Sequence, residues 1–353
     1  MIRSSCISLV VLWTALASAA DARKPEPKIE VLLSGLASPA DVAVRPLRIN
    51  PVELCVLERG AGRIVKTAVD KPGVSTPLIV DFPVVKENEP GPRRIRFLDQ
   101  YSLLVASQGN TVAESHLVAW PLDDAAKAPS SGRNPPQTFG FASLEAEAKG
   151  FGRFVDAGFA DGKAYLATVG LGTFGADDET SPRATAFNVL QADWSAARRK
   201  DPKVLFNSTK ALPGVVDPVA FLSTPRLEYL VVAGEQGGSA VRRLTFIHPQ
   251  TGRALFDLPL PLALPVALAY QVSAGKMNIL YALDRSTDAG GLYRIDVVFE
   301  NGKQVLRPFK IVALDRPNAL ASGEDGTLYV VIEGAYADDK LEAAGQLLKI
   351  GGL

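Results

Sequence analysis

A four-strand unit that recurs along the chain predicts an all-β fold, a six-bladed β-propeller of four-stranded antiparallel blades. Three observations carry this expectation. A short apolar strand with a sharp glycine or acidic stop returns every ~50–60 residues, the length of a large propeller repeat. Each copy is preceded by a strand opened by a turn residue and followed by a more polar, alternating one. The N-terminal end carries one strand too many and the sixth unit one too few, so the two ends complete one blade and leave only short sheet edges.

Taken in order, Ile29-Glu30-Val31-Leu32-Leu33 is the surplus strand. The first unit reads Asp41-Val42-Ala43-Val44, Leu54-Cys55-Val56-Leu57-Glu58, Arg63-Ile64-Val65-Lys66 and Leu78-Ile79-Val80. The second reads Arg94-Ile95-Arg96-Phe97, Leu103-Leu104-Val105-Ala106-Ser107-Gln108, Leu117-Val118-Ala119-Trp120 and Thr138-Phe139-Gly140. The third reads Arg153-Phe154-Val155-Asp156, Ala164-Tyr165-Leu166-Ala167-Thr168-Val169-Gly170, Ala186-Phe187-Asn188-Val189 and Val204-Leu205-Phe206. The fourth reads Pro218-Val219-Ala220-Phe221, Tyr229-Leu230-Val231-Val232-Ala233-Gly234-Glu235, Val241-Arg242-Arg243-Leu244 and Ala254-Leu255-Phe256. The fifth reads Val266-Ala267-Leu268-Ala269, Ile279-Leu280-Tyr281-Ala282-Leu283-Asp284, Leu292-Tyr293-Arg294-Ile295 and Phe309-Lys310-Ile311-Val312. The sixth has three strands: Asn318-Ala319-Leu320-Ala321, Leu328-Tyr329-Val330-Val331-Ile332-Glu333 and Gln346-Leu347-Leu348-Lys349. Asp161-Gly162 and Asp325-Gly326 are tight hairpin signals, and Pro249-Gln250-Thr251-Gly252 makes a longer turn. Seven blades is the alternative. It needs a further blade between Thr173 and Asp201, where Asp177-Asp178-Glu179 and a helix-like run from Asp193 to Arg199 read as an insertion.

Residues 1–19 read as a secretory signal peptide: Arg3, an apolar stretch, then Ala17-Ser18-Ala19 before a charged segment. The apolar stretch is well short of the ~20 residues that span a bilayer. Residues 20–27 form a short linker and 28–353 a single propeller domain. Cleavage removes Cys6 and leaves Cys55, a small buried hydrophobe in its context, so no disulfide forms within the chain. The expected location is secreted or periplasmic, with no membrane span after cleavage. Lys plus Arg and Asp plus Glu are each 38, and 47% of residues are apolar. That balance excludes a disordered chain and a basic nucleic-acid platform.

Leu36-Ala37-Ser38-Pro39-Ala40-Asp41-Val42-Ala43-Val44, then Val56-Leu57-Glu58-Arg59-Gly60-Ala61-Gly62-Arg63-Ile64, resembles an NHL-type propeller unit. Pro317-Asn318-Ala319-Leu320-Ala321 and Glu324-Asp325-Gly326-Thr327-Leu328-Tyr329-Val330 are similar to units of the senescence-marker-protein/gluconolactonase group of six-bladed propellers. The resemblance implies an axial divalent cation held by Glu, Asn and Asp side chains for lactone hydrolysis. Asn318 matches the group's Asn within its Pro-Asn-Gly-Leu pattern. The group's ligand Glu, two residues before the proline that opens the first blade, is Ala37 here.

In a propeller, first strands start and second strands end at one mouth. The expected ligand-binding set there is Asp41, Arg94, Arg153 and Asp217, with Gln108 beside it. Paired arginines would grip a carboxylate or sulfate through forked hydrogen bonds. The candidate metal set is Glu58, Glu235, Asp284, Asn318 and Glu333, whose oxygens suit Ca²⁺, Mg²⁺ or Mn²⁺. The competing reading is that these charges neutralise one another around the axis. Gly170-Leu171-Gly172-Thr173-Phe174-Gly175 spells a dinucleotide fingerprint, but the acids and proline after it open no helix. His248 precedes Pro249 in a turn, and His116 is the one conceivable histidine base. Asn207-Ser208-Thr209 is a glycosylation sequon. The functional expectation is a binding protein for a small molecule or exported protein segment. The alternatives are a divalent-metal lactonase and a non-catalytic scaffold.

Overall fold

The computed structural model describes residues 26–46, 51–84, 90–108, 116–123, 128–134, 138–140, 151–160, 163–170, 187–193, 200–207, 215–223, 230–236, 242–271, 279–333 and 344–353. The proposed signal peptide, the acidic stretch 177–179 and Ser208-Thr209 lie outside these residues; of the helix-like run Asp193 to Arg199, Asp193 ends a strand and 194–199 lie outside them.

The described strands form six sheets. Blade 1 orders β2 (Pro39–Val44), β3 (Glu53–Glu58), β4 (Arg63–Ala68) and β5 (Ser75–Val80) outward, with β9 (Ser130–Ser131) added at the rim. Blade 2 holds β6 (Gly91–Asp99), β7 (Ser102–Gln108), β8 (His116–Pro121) and β10 (Thr138–Gly140). Blade 3 holds β11 (Phe151–Ala160), β12 (Lys163–Gly170), β13 (Phe187–Asp193) and β14 (Lys200–Asn207). Blade 4 holds β15 (Val215–Ser223), β16 (Leu230–Gln236), β17 (Arg242–Ile247) and β18 (Ala254–Leu260). Blade 5 holds β19 (Pro265–Gln271), β20 (Ile279–Asp284), β21 (Gly291–Glu300) and β22 (Lys303–Ala313). Blade 6 holds β23 (Pro317–Ser322), β24 (Leu328–Ile332) and β25 (Gly345–Gly351), and β1 (Lys28–Leu36) closes it by pairing antiparallel with β25. The innermost strands β2, β6, β11, β15, β19 and β23 touch their neighbours around a closed ring.

The core lies between blades, and this explains the continuous apolar runs of the second strands. Along β3, Leu54 and Val56 face a cluster shared with blade 6, while Cys55 and Leu57 face one shared with blade 2. Along β20, Leu280 and Ala282 face blade 4, and Tyr281 and Leu283 face blade 6. A strand buried on both faces has no polar face to alternate with. Each such fully buried aliphatic side chain contributes about 1.5–3 kcal/mol.

One element was not legible. β9, from the segment between β8 and β10, pairs in parallel with β5 through Ile79↔Ser130 and Val80↔Ser131. Gly132 N donates to Val80 O at 2.5 Å, so blade 2 clasps the outer edge of blade 1. The proline-broken apolar stretch Leu258 to Tyr270 reads as a blade-to-blade connection, but its ends belong to β18 and β19 and only residues 261–264 link blade 4 to blade 5. No helix among the described residues is long and apolar enough to cross a membrane.

Candidate functional site

Second strands end and first strands start at one face, the mouth. The first strands open with a proline in blades 1, 5 and 6, a position where a missing N–H disrupts no ladder. A bulge follows at once, between Pro39/Asp41, Pro92/Arg94, Pro265/Ala267 and Pro317/Ala319. Bulges re-aim side chains, and here they project Ala40, Arg93, Val266 and Asn318 out of register.

The structure gives most of the expected mouth residues a partner within the protein. Asp41 is 1% exposed, and its Oδ2 accepts from Ile95 N at 2.8 Å and from Arg96 at 2.6 Å, tying blade 1 to blade 2. Arg94 donates to Ala40 O at 3.2 Å across the same seam. Arg93 Nε donates to Gln108 Oε1 at 2.9 Å. Glu58 is fully buried and takes a forked contact from Arg63, with Nε at 3.1 Å and Nη2 at 2.9 Å from Oε2. Asp284 is fully buried; Oδ2 accepts from Ala263 N at 2.8 Å and Leu264 N at 3.3 Å, and Oδ1 from Ser286 N at 2.8 Å. Asn318 donates to Pro39 O at 3.0 Å, bridging blade 6 to blade 1. Glu333 accepts from Arg285 and lies 3.5 Å from Arg316.

Arg153 on β11, Asp217 on β15 and Glu235 on β16 are placed by their backbones, Glu235 opposite Arg242. Their side chains lie outside the described part of the structure, as does that of His116, which opens β8. Of the dinucleotide-like motif, Gly170 ends β12 and residues 171–175 fall outside the described residues. His248 closes a turn, its Nδ1 accepting from Gln250 N and Thr251 N, both at 3.3 Å.

Strand register shows why the acids do not form one ring. Glu58 pairs opposite Pro39 and Asp284 opposite Pro265. Opposite Pro317, however, stands Ile332, so Glu333 is one residue further on. A one-residue offset sends a side chain to the other face of its sheet. Glu333 therefore shares its position with Arg59 and Arg285. All three donate their backbone N–H to the carbonyl before the strand-opening proline: Arg59 to Ser38, Arg285 to Leu264 and Glu333 to Arg316.

A metal centre needs several oxygens left over for the ion. Glu58, Asp284 and Glu333 already spend theirs on guanidinium or backbone N–H groups, and Ala37 stands at the Glu position. No group of three His, Cys, Asp or Glu side chains converges among the described residues. The described donors do not fit an axial divalent cation, and no chemical step is derived through one.

The mouth face does hold a cleft of about 710 Å³ on blade 5, at its border with blade 6. Its walls are the β20–β21 turn and the β22–β23 crossover, with Arg285, Ser286, Lys310, Leu314 and Arg316 among its lining. Leu314 N donates to Gly290 O at 3.4 Å, and Tyr293 donates its hydroxyl proton to Ala289 O at 2.5 Å, fixing the turn. Gly290 is required because a Cβ there would meet Ser286 O at 2.8 Å and Leu314 O at 2.9 Å. Lys310 Nζ stands 5.7 Å from the centre of the Tyr293 ring. Arg316 has φ of 46°, a conformation costly for a side-chain-bearing residue and concentrated at functional sites. Ser38, before Pro39, repeats it with φ of 43°. Ser286 Oγ is buried in this wall without a hydrogen-bond partner. Sequence reasoning passed over Arg285, Lys310 and Arg316. The available signal was a basic residue next to a strand-ending acid in one case and next to a strand-opening proline in another.

No protein-family model matches the chain, and no curated protein matches it. Among solved structures, an oxidoreductase described as a glucose dehydrogenase from Thermus thermophilus superposes with a TM-score of 0.59 at 17% identity, over 92% of this chain and 99% of that one. A luciferin-regenerating enzyme gives 0.57 at 15% identity, over 93% and 96%. A gluconolactonase from Xanthomonas campestris gives 0.54 at 11% identity, over 95% and 93%. At such identities the likeness shows a shared β-propeller fold, and a fold of this kind hosts many activities.

Proposed function

We propose that the protein is an exported β-propeller that binds a small polar molecule in the mouth-face cleft of blade 5. The observation that carries this reading is the cleft itself: concave, about 710 Å³, and walled by two loops, one of them shaped by Gly290, that present charged side chains on a rigid sheet. Export is supported by the leader-like residues 1–19 and by a mature chain left with Cys55 alone. The lactonase reading has the fold in its favour, but the described mouth acids are engaged in structural contacts.

The test is a thermal-shift screen of the mature chain against a library of polar small molecules, repeated with Ala313→Trp. Ala313 is exposed and lines the cleft, so the indole fills it at little cost to folding. Hits that vanish in the variant are expected. A library without hits, or hits indifferent to the tryptophan, would refute the reading.

A second reading, as a scaffold, is favoured by one observation. The β21–β22 hairpin runs past the start of β20, away from the mouth, and its Val297 and Phe299 are 52% and 73% exposed. Exposed apolar patches of this kind mark protein contacts.

A further inference from the structure

We propose that the rim of the seam between blades 1 and 2 holds a site for a small, neutral, apolar molecule that carries a carbonyl oxygen, with Trp120 as the hydrogen-bond donor. The site is separate from the blade 5 cleft, and the inference does not depend on that cleft.

The argument starts from an indole without a partner. Trp120, on β8, is 3% exposed and packs in the cluster shared by blades 1 and 2, together with Ile79 of β5. Its Nε1 is buried and has no hydrogen-bond partner. A buried tryptophan usually finds an acceptor for its N–H, and a buried donor left without one is destabilising. Such a group in a folded protein calls for an explanation. The Phe82 ring stands T-shaped to the indole, with centroids 6.2 Å apart. It packs the indole in place, but a ring face is a weaker acceptor than a carbonyl oxygen.

Trp120 also lines a cavity of about 460 Å³, within the roughly 300–1,000 Å³ of small-molecule sites. Leu78 and Ile79 of β5 contribute to its apolar wall, with Trp120, Pro121 and Leu122 from the end of β8. Ala128 and Ser130 line it from the side of the clasp, where Ser130 is held opposite Ile79. The walls are thus tied together across two blades, and the cavity is shaped before any ligand arrives. Lys66 and Asp123, one of each sign, leave its lining without net charge. A lining of that kind selects no ion, whereas an apolar body gains by leaving water there. The group that the wall lacks is an acceptor for Trp120, and a carbonyl oxygen on an otherwise apolar molecule supplies it.

The experiment uses residues 20–353 with isotope-labelled tryptophan, observed in proton–nitrogen correlation spectra. Trp13 falls outside that span, so the indole signals are those of Trp120 and Trp194. Trp194→Phe leaves Trp120 alone and assigns its signal without touching the site. The probes are two ketones, camphor and cyclooctanone, and the hydrocarbons camphane and cyclooctane, which lack the oxygen. At least one ketone is expected to move the Trp120 indole proton downfield and to saturate. Its hydrocarbon counterpart is expected to compete about tenfold more weakly, the order of one hydrogen bond to a buried donor. Ala128→Phe, at an exposed position that lines the cavity, fills it and is expected to abolish the shift. A Trp120 signal that neither ketone moves overturns the inference. A shift that survives Ala128→Phe also overturns it, because the ketone then binds elsewhere. So does a hydrocarbon that competes as strongly as its ketone, because the indole N–H then has no part in binding.

Discussion

Asp41→Ala should cost about 3 kcal/mol of folding stability and leave ligand binding untouched. The carboxylate accepts hydrogen bonds from Ile95 N and Arg96, and Asp41 is 1% exposed. Hydrogen bonds to a charged group contribute about 1.5–3 kcal/mol each. Ile95 is fully buried, so its N–H is left without an acceptor and the full loss applies there. Arg96 is 23% exposed and can turn to water, which discounts the ion pair toward the surface value of about 0–1 kcal/mol. Asp41→Asn keeps an acceptor for Ile95 N and should lose only about 1–2 kcal/mol by the same reasoning. Equilibrium urea unfolding reads both losses as a lowered midpoint at constant slope. A double-mutant cycle with Arg96→Met isolates the ion pair. The reasoning is refuted if Asp41→Ala stays within about 1 kcal/mol of the parent, a margin wider than the few tenths by which denatured-state effects usually blur such a sum. A variant of parental stability that lost a ligand would instead restore Asp41 to a binding role.

Treatment with EDTA, followed by Ca²⁺, Mg²⁺ or Mn²⁺, should leave the thermal midpoint unmoved; a drop that one ion repairs would show that the mouth carboxylates hold a metal. Gly62→Ala should lose about 2–4 kcal/mol in urea, because Gly62 has φ of 58° and an added Cβ runs into the Phe82 carbonyl oxygen. Gly132→Val forces a side chain against the Phe82 ring, 2.7 Å away, and should raise hydrogen exchange along residues 75–80 by freeing the clasp; unchanged protection there would count against it. Burial pushes the phenols of Tyr281 and Tyr329 above the ordinary value of 10.0. Their contribution is complete below that pH and is lost as pH rises above it, so stability should fall on the alkaline side. Tyr281→Phe should flatten that decline, and an equally steep decline in the variant would exclude this cause.

The strands were readable because burial on both faces writes an unbroken apolar run, as in Leu54-Cys55-Val56-Leu57 and Leu280-Tyr281-Ala282-Leu283. β9 was not readable, because Ser130-Ser131 owes its strand conformation to the edge of another blade and carries no pattern of its own. The mouth was legible as a place and not as a set of roles. Glu58 and Glu333 look alike in sequence, yet a one-residue difference in register sends them to different faces. The residues that answer them, Arg63 and Arg285, are found only once a turn or a neighbouring blade brings them across. Arg316 was hidden for a different reason, since nothing in its type foretells a left-handed backbone.

The closure of blade 6 has a consequence for the order in which the molecule is made. Glu30 and Lys349, joined across β1 and β25, are 319 residues apart in the chain. The ribosome releases one partner near the beginning of synthesis and the other near the end. Until then β1 has no ladder to join, and Leu32, Leu33 and Leu36 have only the blade 1 half of their cluster, Val42, Leu54, Val56 and Val65, to pack against. The five other blades can assemble as their hairpins emerge, but the circle is sealed by the pairing with the greatest separation, where loop closure is slowest. An unsealed ring exposes β25 as an open edge, a surface that invites association with another chain. Loss of a few residues from β1 would therefore do more damage than the same loss from a rim loop, and would show itself as aggregation of newly made protein.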